Sequence, residues 1–419
     1  MRKKYLPICS LFIFLLVFDT QLFSPLEKKL EYADNLFHSM RLEWAKGWDL
    51  TEVENFIDKA KNEIKNKRFT EAERYLDTAI SKMKAIEKRY NQSYKGPSPK
   101  TSSWFTGKDL VKLVAYRTIE RGIIGFSWGQ SVAMKGLIAS GNWMSVKNII
   151  EMYMVNSSMP KNVNDCAIGD VLISLYEITK DERYIKRARE LGDFVLSYKD
   201  RLQSGGIVNV PETKQLWIDT VYMICPFMVR LGGIYKEEGI RQLKIHIRYL
   251  MDPNIFLFHH AWDELTLSQS PNYWARGNGW MLATLVEVIP YLEGEDKTYI
   301  ETIVKNMIMT LIRLQDSSGL WHTLINMKDT YLETSGSALI SYGIAKAVSL
   351  GILNKDYLEI AQKTFEGIRT RITREGDVLG VSEGTGPGDY IYYTTRKTGT
   401  FPHGQGSVLL LGGALNEKL

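Results

Sequence analysis

The chain has 419 residues, 44% hydrophobic and 24% charged, which are the values of a globular protein whose core needs no disulfide or metal staple. Its 53 basic and 48 acidic residues leave a net charge of +5, too diffuse for the clustered basic surface that nucleic-acid binding requires. The three cysteines, Cys9, Cys166 and Cys225, form no CxxC pair or Cys/His cluster, which argues against a structural zinc site.

The first segment, MRKKYLPICSLFIFLLVF, places Arg2, Lys3 and Lys4 before an apolar run of about a dozen residues, as a secretory signal does. The run is short for a membrane span, and no clear small-x-small cleavage site follows. Residues 1–25 are therefore expected to act as an export signal, or as an anchor if uncleaved, and the chain as secreted or periplasmic. No later segment is apolar enough to cross a bilayer.

Residues 26–95 are rich in Lys and Glu with helical spacing. Ala60, Phe69, Ala72, Leu76 and Ala79 fall on one apolar face, and Asn66-Lys67 marks a turn, so a helical hairpin is expected. NQSYKGPSPKTSS reads as a linker. From Trp104 onward, twelve helices are expected near 107–122, 128–140, 144–154, 165–178, 182–198, 216–232, 235–250, 273–292, 297–315, 333–351, 355–372 and 404–416. GGIVNV and DYIYYTT are short β-prone pieces between them.

These helices alternate in character. AIGDVLISLY, IDTVYMICPFMV, GWMLATLVEVI, SGSALISYGIAKAV and GSVLLLGGAL are apolar all round, whereas DERYIKRARELGDFVLSY and DKTYIETIVKNMIMTLIRL carry many charges. Helices of the first kind belong inside and of the second outside. Strict alternation predicts an all-α (α/α)6 toroid over residues 104–419. Its six inner helices run the same way, so their N-termini share one mouth. SWGQ, NDC, WIDT, YWARGNGW, LETSGS and FPHGQGS stand at those six starts, and their convergence points to an enzyme.

Free N–H groups and aligned dipoles make such a mouth electropositive, and Arg276 adds a planar fork suited to a carboxylate, so a sugar acid is the expected ligand. Asp165 and Asp219 open two inner helices amid apolar neighbours, which would favour a neutral carboxyl able to act as a general acid. Singly, each is a common helix cap; as a pair on one mouth they point to acid–base catalysis. His260 and His403 lie beside turn signals and are expected to hydrogen-bond substrate. Trp128 and Trp280 are expected to stack on sugar rings, though they could instead plug the barrel; Trp274 is undecided between these roles. No i, i+4 His pair, HExxH, P-loop, dinucleotide fingerprint or Gly-x-Ser-x-Gly elbow is present, so no metal or organic cofactor is expected.

FSWGQSVAMKGL, NDCAIGDVLISLYEIT, WIDTVYM, HHAWDE, WARGNGW, ETSGSALISYGI and HGQGSVLLL resemble the unsaturated glucuronyl and rhamnogalacturonyl hydrolases, glycoside hydrolase families 88 and 105, over about residues 104–416. The resemblance implies an (α/α)6 barrel acting on oligosaccharides left by polysaccharide lyases, with the rhamnogalacturonyl type favoured. It implies hydration of a C4–C5 double bond, with Asp219 as acid, Asp165 as the second aspartate, and His260, Arg276 and Trp280 as substrate contacts. Two features depart from the family core, the hairpin at 26–95 and the long connection around 375–400. The rival readings are a hydrolase or lyase of an intact glycan on the same fold, and a non-catalytic sugar-binding scaffold. Activity on unlyased polymer would select the first, and binding without turnover the second.

Overall fold

The computed structural model describes residues 50–93, 107–154 and 159–416, together with Leu26, Lys29, Leu30, Ala33 and Phe37. The expected signal or anchor at 1–25, Cys9, and residues 94–106 of the linker and its C-terminal margin lie outside them. The chain divides between Lys95 and Gly96 into two compact units.

In the N-terminal unit, α1 (Thr51–Lys65) and α2 (Phe69–Ser93) form a hairpin. Lys67 takes a left-handed conformation, φ 59°, at the expected turn. Val53, Ile57, Ala60, Leu76, Ala79 and Met83 bury against one another and against Ala33 and Phe37. Phe69 departs from the expected face and stays exposed.

The C-terminal unit begins with α3 (Gly107–Glu120), α4 (Trp128–Ala139) and α5 (Trp143–Met154). It continues through α6 (Ile168–Thr179), α7 (Glu182–Ser197), α8 (Ile218–Leu231), α9 (Gly233–Leu250) and α10 (Ala275–Val288). The last helices are α11 (Gly294–Arg313), α12 (Thr334–Ser349), α13 (Leu358–Arg369), α14 (Tyr390–Thr394) and α15 (Pro402–Asn416). Twelve of these thirteen are the expected helices, within a few residues at each end. The extra one, α14, covers part of DYIYYTT; its β-branched and aromatic residues favour a strand, but Asp389 caps the turn by accepting the Tyr392 N–H at 2.8 Å.

Helices α4, α6, α8, α10, α12 and α15 each pack on the next, and α15 packs back on α4 to close the ring. They are buried almost along their whole length. Apart from the short α14, the other six pack outside them, burying one stripe each, as their charge pattern requires. This is the (α/α)6 toroid. Ring closure depends on glycine: a Cβ on Gly136 would stand 2.4 Å from the Gly406 carbonyl oxygen, so α4 and α15 touch backbone to backbone. Cys166 and Cys225 are buried free thiols.

Three small antiparallel sheets precede inner helices. β1 (Gln215–Trp217) pairs with β2 (Ala261–Asp263), and β2 with β3 (Ser268–Gln269). β4 (Trp321–His322) pairs with β5 (Leu332–Glu333), and β6 (Val381–Ser382) with β7 (Thr398–Gly399). These short hairpins set the register of the residues at the mouth.

Candidate active site

The starts of the six inner helices are joined by direct contacts. Trp128 at the start of α4 lies 4.8 Å from His403 at the start of α15, centroid to centroid, and 6.5 Å edge-on from Trp280 of α10. Asn164, in the 3-10 turn Val163–Ala167 before α6, exchanges two side-chain hydrogen bonds with Asn209, which also donates to Thr220 Oγ1 of α8 at 2.9 Å. Asn209 therefore ties the segments that carry Asp165 and Asp219. Arg276 of α10 donates to Ser335 Oγ of α12 at 3.3 Å.

Asp219 sits in the first turn of α8, where the helix dipole favours a negative charge. Its carboxylate caps no backbone N–H; Oδ2 lies 2.9 Å from His260 Nε2 instead. The side chain is 18% exposed and His260 is fully buried. The β1–β2 register places them so: Trp217 pairs with Ala261, and the Ile218 N–H donates to the His260 carbonyl at 2.9 Å. Trp274 stacks on the His260 ring at 4.3 Å and 20°, fixing its plane, and Tyr393 OH stands 2.6 Å from Nδ1. Asp165 is half-buried, and its Oδ2 accepts the Lys161 N–H at 3.0 Å, a local cap-like bond that Asp219 lacks.

Arg276 is 1% exposed, and its fork is occupied by protein. Nη1 donates to the Ser382 carbonyl at 2.9 Å and to Ser382 Oγ at 2.5 Å; Nη2 donates to the Glu383 carbonyl at 2.7 Å and to Thr385 Oγ1 at 3.2 Å. The guanidinium also lies 4.4 Å over the Trp274 ring. Burial pulls Arg276 below the usual arginine range, and Glu333, 3.6 Å away, opposes that pull. Glu333 is itself fully buried and accepts from Ser335 Oγ, the Gly336 N–H and the Ser382 N–H. So the arginine that the sequence offered to a substrate carboxylate ties the 382–385 segment to α10 and α12.

Trp280 is buried and stacks on Tyr222 at 4.4 Å; it belongs to the barrel wall beneath the mouth. It therefore offers no open ring surface, whereas Trp128 and Trp217 are half-buried. His403 is buried at hydrogen-bond distance, 3.1 Å, from the Ser382 carbonyl; burial and then Arg276 push it well below the usual histidine range, so it is neutral and donates from Nε2. Lower in the barrel, Lys135 bridges Asp170 at 2.9 Å and Glu287 at 2.6 Å, with Arg230 on Asp170 at 2.6 Å. Burial alone would keep the Asp170 proton on, yet Lys135 and Arg230 hold Asp170 well below the usual carboxylate range.

The structure thus gathers Asp219, His260, Arg276, Trp128, Trp280 and His403 in one contact network, with Asp165 tethered to it through Asn164 and Asn209. Trp274, Asn209, Ser382 and Tyr393 complete that network. Of these, Tyr393 and Asn209 carried no signal beyond lying in long connections. Among the described residues, no group of three His, Cys, Asp or Glu side chains could hold a metal ion, and no helix is long and apolar enough to cross a membrane.

A toroid of paired helices with aspartates at a mouth of converging helix starts defines a carbohydrate-active enzyme of the six-hairpin class. The Glycosyl Hydrolase Family 88 model matches residues 135–416, so the chain belongs to that family of glycosidases. It is 34% identical over 254 residues to the unsaturated rhamnogalacturonyl hydrolase YesR of Bacillus subtilis, covering 57% of this chain and 72% of that protein. It is 25% identical over 286 residues to an unsaturated 3S-rhamnoglycuronyl hydrolase of Alteromonas, covering 62% of this chain and 68% of that protein. A crystal structure described as a possible GH105 member from Klebsiella pneumoniae superposes with TM-score 0.70 at 25% identity, covering 77% of this chain and 96% of that one.

Proposed function

We propose that the protein removes a 4,5-unsaturated uronic acid from the non-reducing end of oligosaccharides left by polysaccharide lyases, with rhamnogalacturonan fragments as the favoured source. The observation that carries this reading is the Asp219–His260 pair. Asp219 stands at the mouth with Oδ2 held by His260 and no other hydrogen bond among the described residues, so one carboxyl oxygen remains for substrate. The similarity to a rhamnogalacturonyl hydrolase supports the choice of substrate.

In this reading Asp219 protonates C4 of the vinyl ether. Positive charge develops at C5 and the ring oxygen, and water adds at C5 while its proton returns to the Asp219 carboxylate. The resulting hemiketal opens and the aglycone leaves from C1. One carboxyl that donates and recovers a proton suffices, without the paired carboxylates of direct displacement. The inner helix N-termini attract the uronate charge. Asp165 contacts the sugar from the neighbouring helix start, and Trp128 and Trp217 wall the ring. His260 orients Asp219, while Arg276, Trp280 and His403 act from behind that surface, as their burial supports. The basic and apolar N-terminal segment supports export, with residues 1–25 as signal or anchor.

The test follows the ultraviolet band of the conjugated uronate during incubation with lyase-generated disaccharides. The wild type is expected to abolish the band. Asp219→Asn, which keeps an oxygen for His260, is expected to fold normally and lose about 10²–10⁴-fold in turnover. Unchanged turnover in that variant would remove Asp219 from the mechanism.

A further inference from the structure

The long connection between α13 and α15 delivers one side chain to the centre of the site. β6 and β7 bracket α14, and α14 carries Tyr393, which is fully buried. Its hydroxyl lies 2.6 Å from His260 Nδ1. Burial pushes the phenol above its usual range, so it stays a neutral donor.

The hydrogens can then be assigned by elimination. A phenol buried this fully cannot give its hydrogen to bulk water, so a protein acceptor must take it. The single phenolic hydrogen needs an acceptor, and Nδ1 is placed to be one. A neutral imidazole whose Nδ1 accepts carries its hydrogen on Nε2. That hydrogen points at Asp219 Oδ2, 2.9 Å away.

We propose that Tyr393 is a positioning residue for Asp219: by fixing the His260 tautomer, it keeps the acid proton of Asp219 on the oxygen that faces the substrate. With Nε2–H donating to Oδ2, a neutral Asp219 holds its own proton on Oδ1. In the opposite tautomer the Nε2 lone pair would draw that proton to Oδ2 and away from C4. Trp274 keeps the ring from rotating out of either bond. The other charged groups facing the pair are Arg276, which feels Asp219, and beyond it Glu333 and Glu383; their own hydrogen bonds run to other residues than Tyr393. The proposal rests on Asp219 being the acid.

The experiment combines two-bond proton–nitrogen NMR of the histidine rings with kinetics of Tyr393→Phe. Six histidines make assignment tractable. The wild type is expected to show His260 with hydrogen on Nε2 and a bare Nδ1, and Tyr393→Phe to lose that single form. On a lyase-generated disaccharide, kcat of Tyr393→Phe is expected to fall roughly tenfold or more with KM within about twofold, since general acid–base catalysis is what is impaired. A wild-type His260 with hydrogen on Nδ1 overturns the proposal even if the variant fails to fold. So does a Tyr393→Phe enzyme with unchanged kcat. A wild type that turns over no unsaturated disaccharide fails the functional reading instead, and the NMR result stands apart from it.

Discussion

Replacing Arg276 with Met separates the role its position gives it from the one its chemistry first indicates. The guanidinium is 1% exposed and donates to four residues, Ser335, Ser382, Glu383 and Thr385. Arg276→Met retains the volume but leaves Glu333 as a buried carboxylate without its cation, and strips donors from two carbonyls. Breaking a buried pair on one side costs about 3–5 kcal/mol. Glu333 keeps its bonds from Ser335, Gly336 and Ser382, and the two carbonyls keep donors from His403 and Thr385, which limits the loss. The variant should therefore lose about 3–5 kcal/mol in urea titration, with a Tm lower by roughly 5–10 °C. Adding Glu333→Gln should recover part of that loss, because the uncompensated charge is gone. If Arg276→Met were instead within about 1 kcal/mol of wild type and raised only KM, the guanidinium would be a substrate fork and not a structural tie between α10, α12 and the 382–385 segment.

Two further outcomes follow from buried charge. Lys135→Met leaves Asp170 and Glu287 facing one another's field with only Arg230 nearby, and should cost about 3–5 kcal/mol in chemical denaturation. His246, buried on α9, donates from Nδ1 to the Gln242 carbonyl while Nε2 has no partner, and burial pushes it down to about 4. The native state therefore holds it neutral while the unfolded chain protonates near 6.5. Stability is fully present above pH 6.5 and falls by about 3 kcal/mol as pH drops towards 4. His246→Leu should flatten that segment of the stability–pH curve; an unchanged slope would mean that another group titrates there.

Much of the fold was legible because it repeats one physical pattern. Apolar helices such as IDTVYMICPFMV and charged ones such as DERYIKRARELGDFVLSY alternate, and alternation alone specifies which helices are inner and that their starts converge. The site was legible as residue types for the same reason: Asp219, Arg276 and Trp128 stand at those junctions, and His260 lies in the connection that leads to one of them. What each side chain does was not legible, because its partners are far along the chain. Arg276 reads as a free cation until Ser382 and Glu383, over a hundred residues away, close around it. Asp165 and Asp219 read alike, and only the β1–β2 register gives one a histidine while the other bonds the Lys161 backbone. DYIYYTT reads as a strand by propensity, and its turn into α14 by the Asp389 cap is what brings Tyr393 to His260.

The central claim is that bond cleavage proceeds through protonation of C4 rather than attack at C1. Turnover of a lyase-generated rhamnogalacturonan disaccharide in D2O, followed by NMR, tests it directly. The account predicts one deuterium at C4 of the released uronic acid, loss of the conjugated band in step with release, and neither in Asp219→Asn. Release of an intact unsaturated uronic acid without deuterium, with the band preserved at the moment of cleavage, would contradict it.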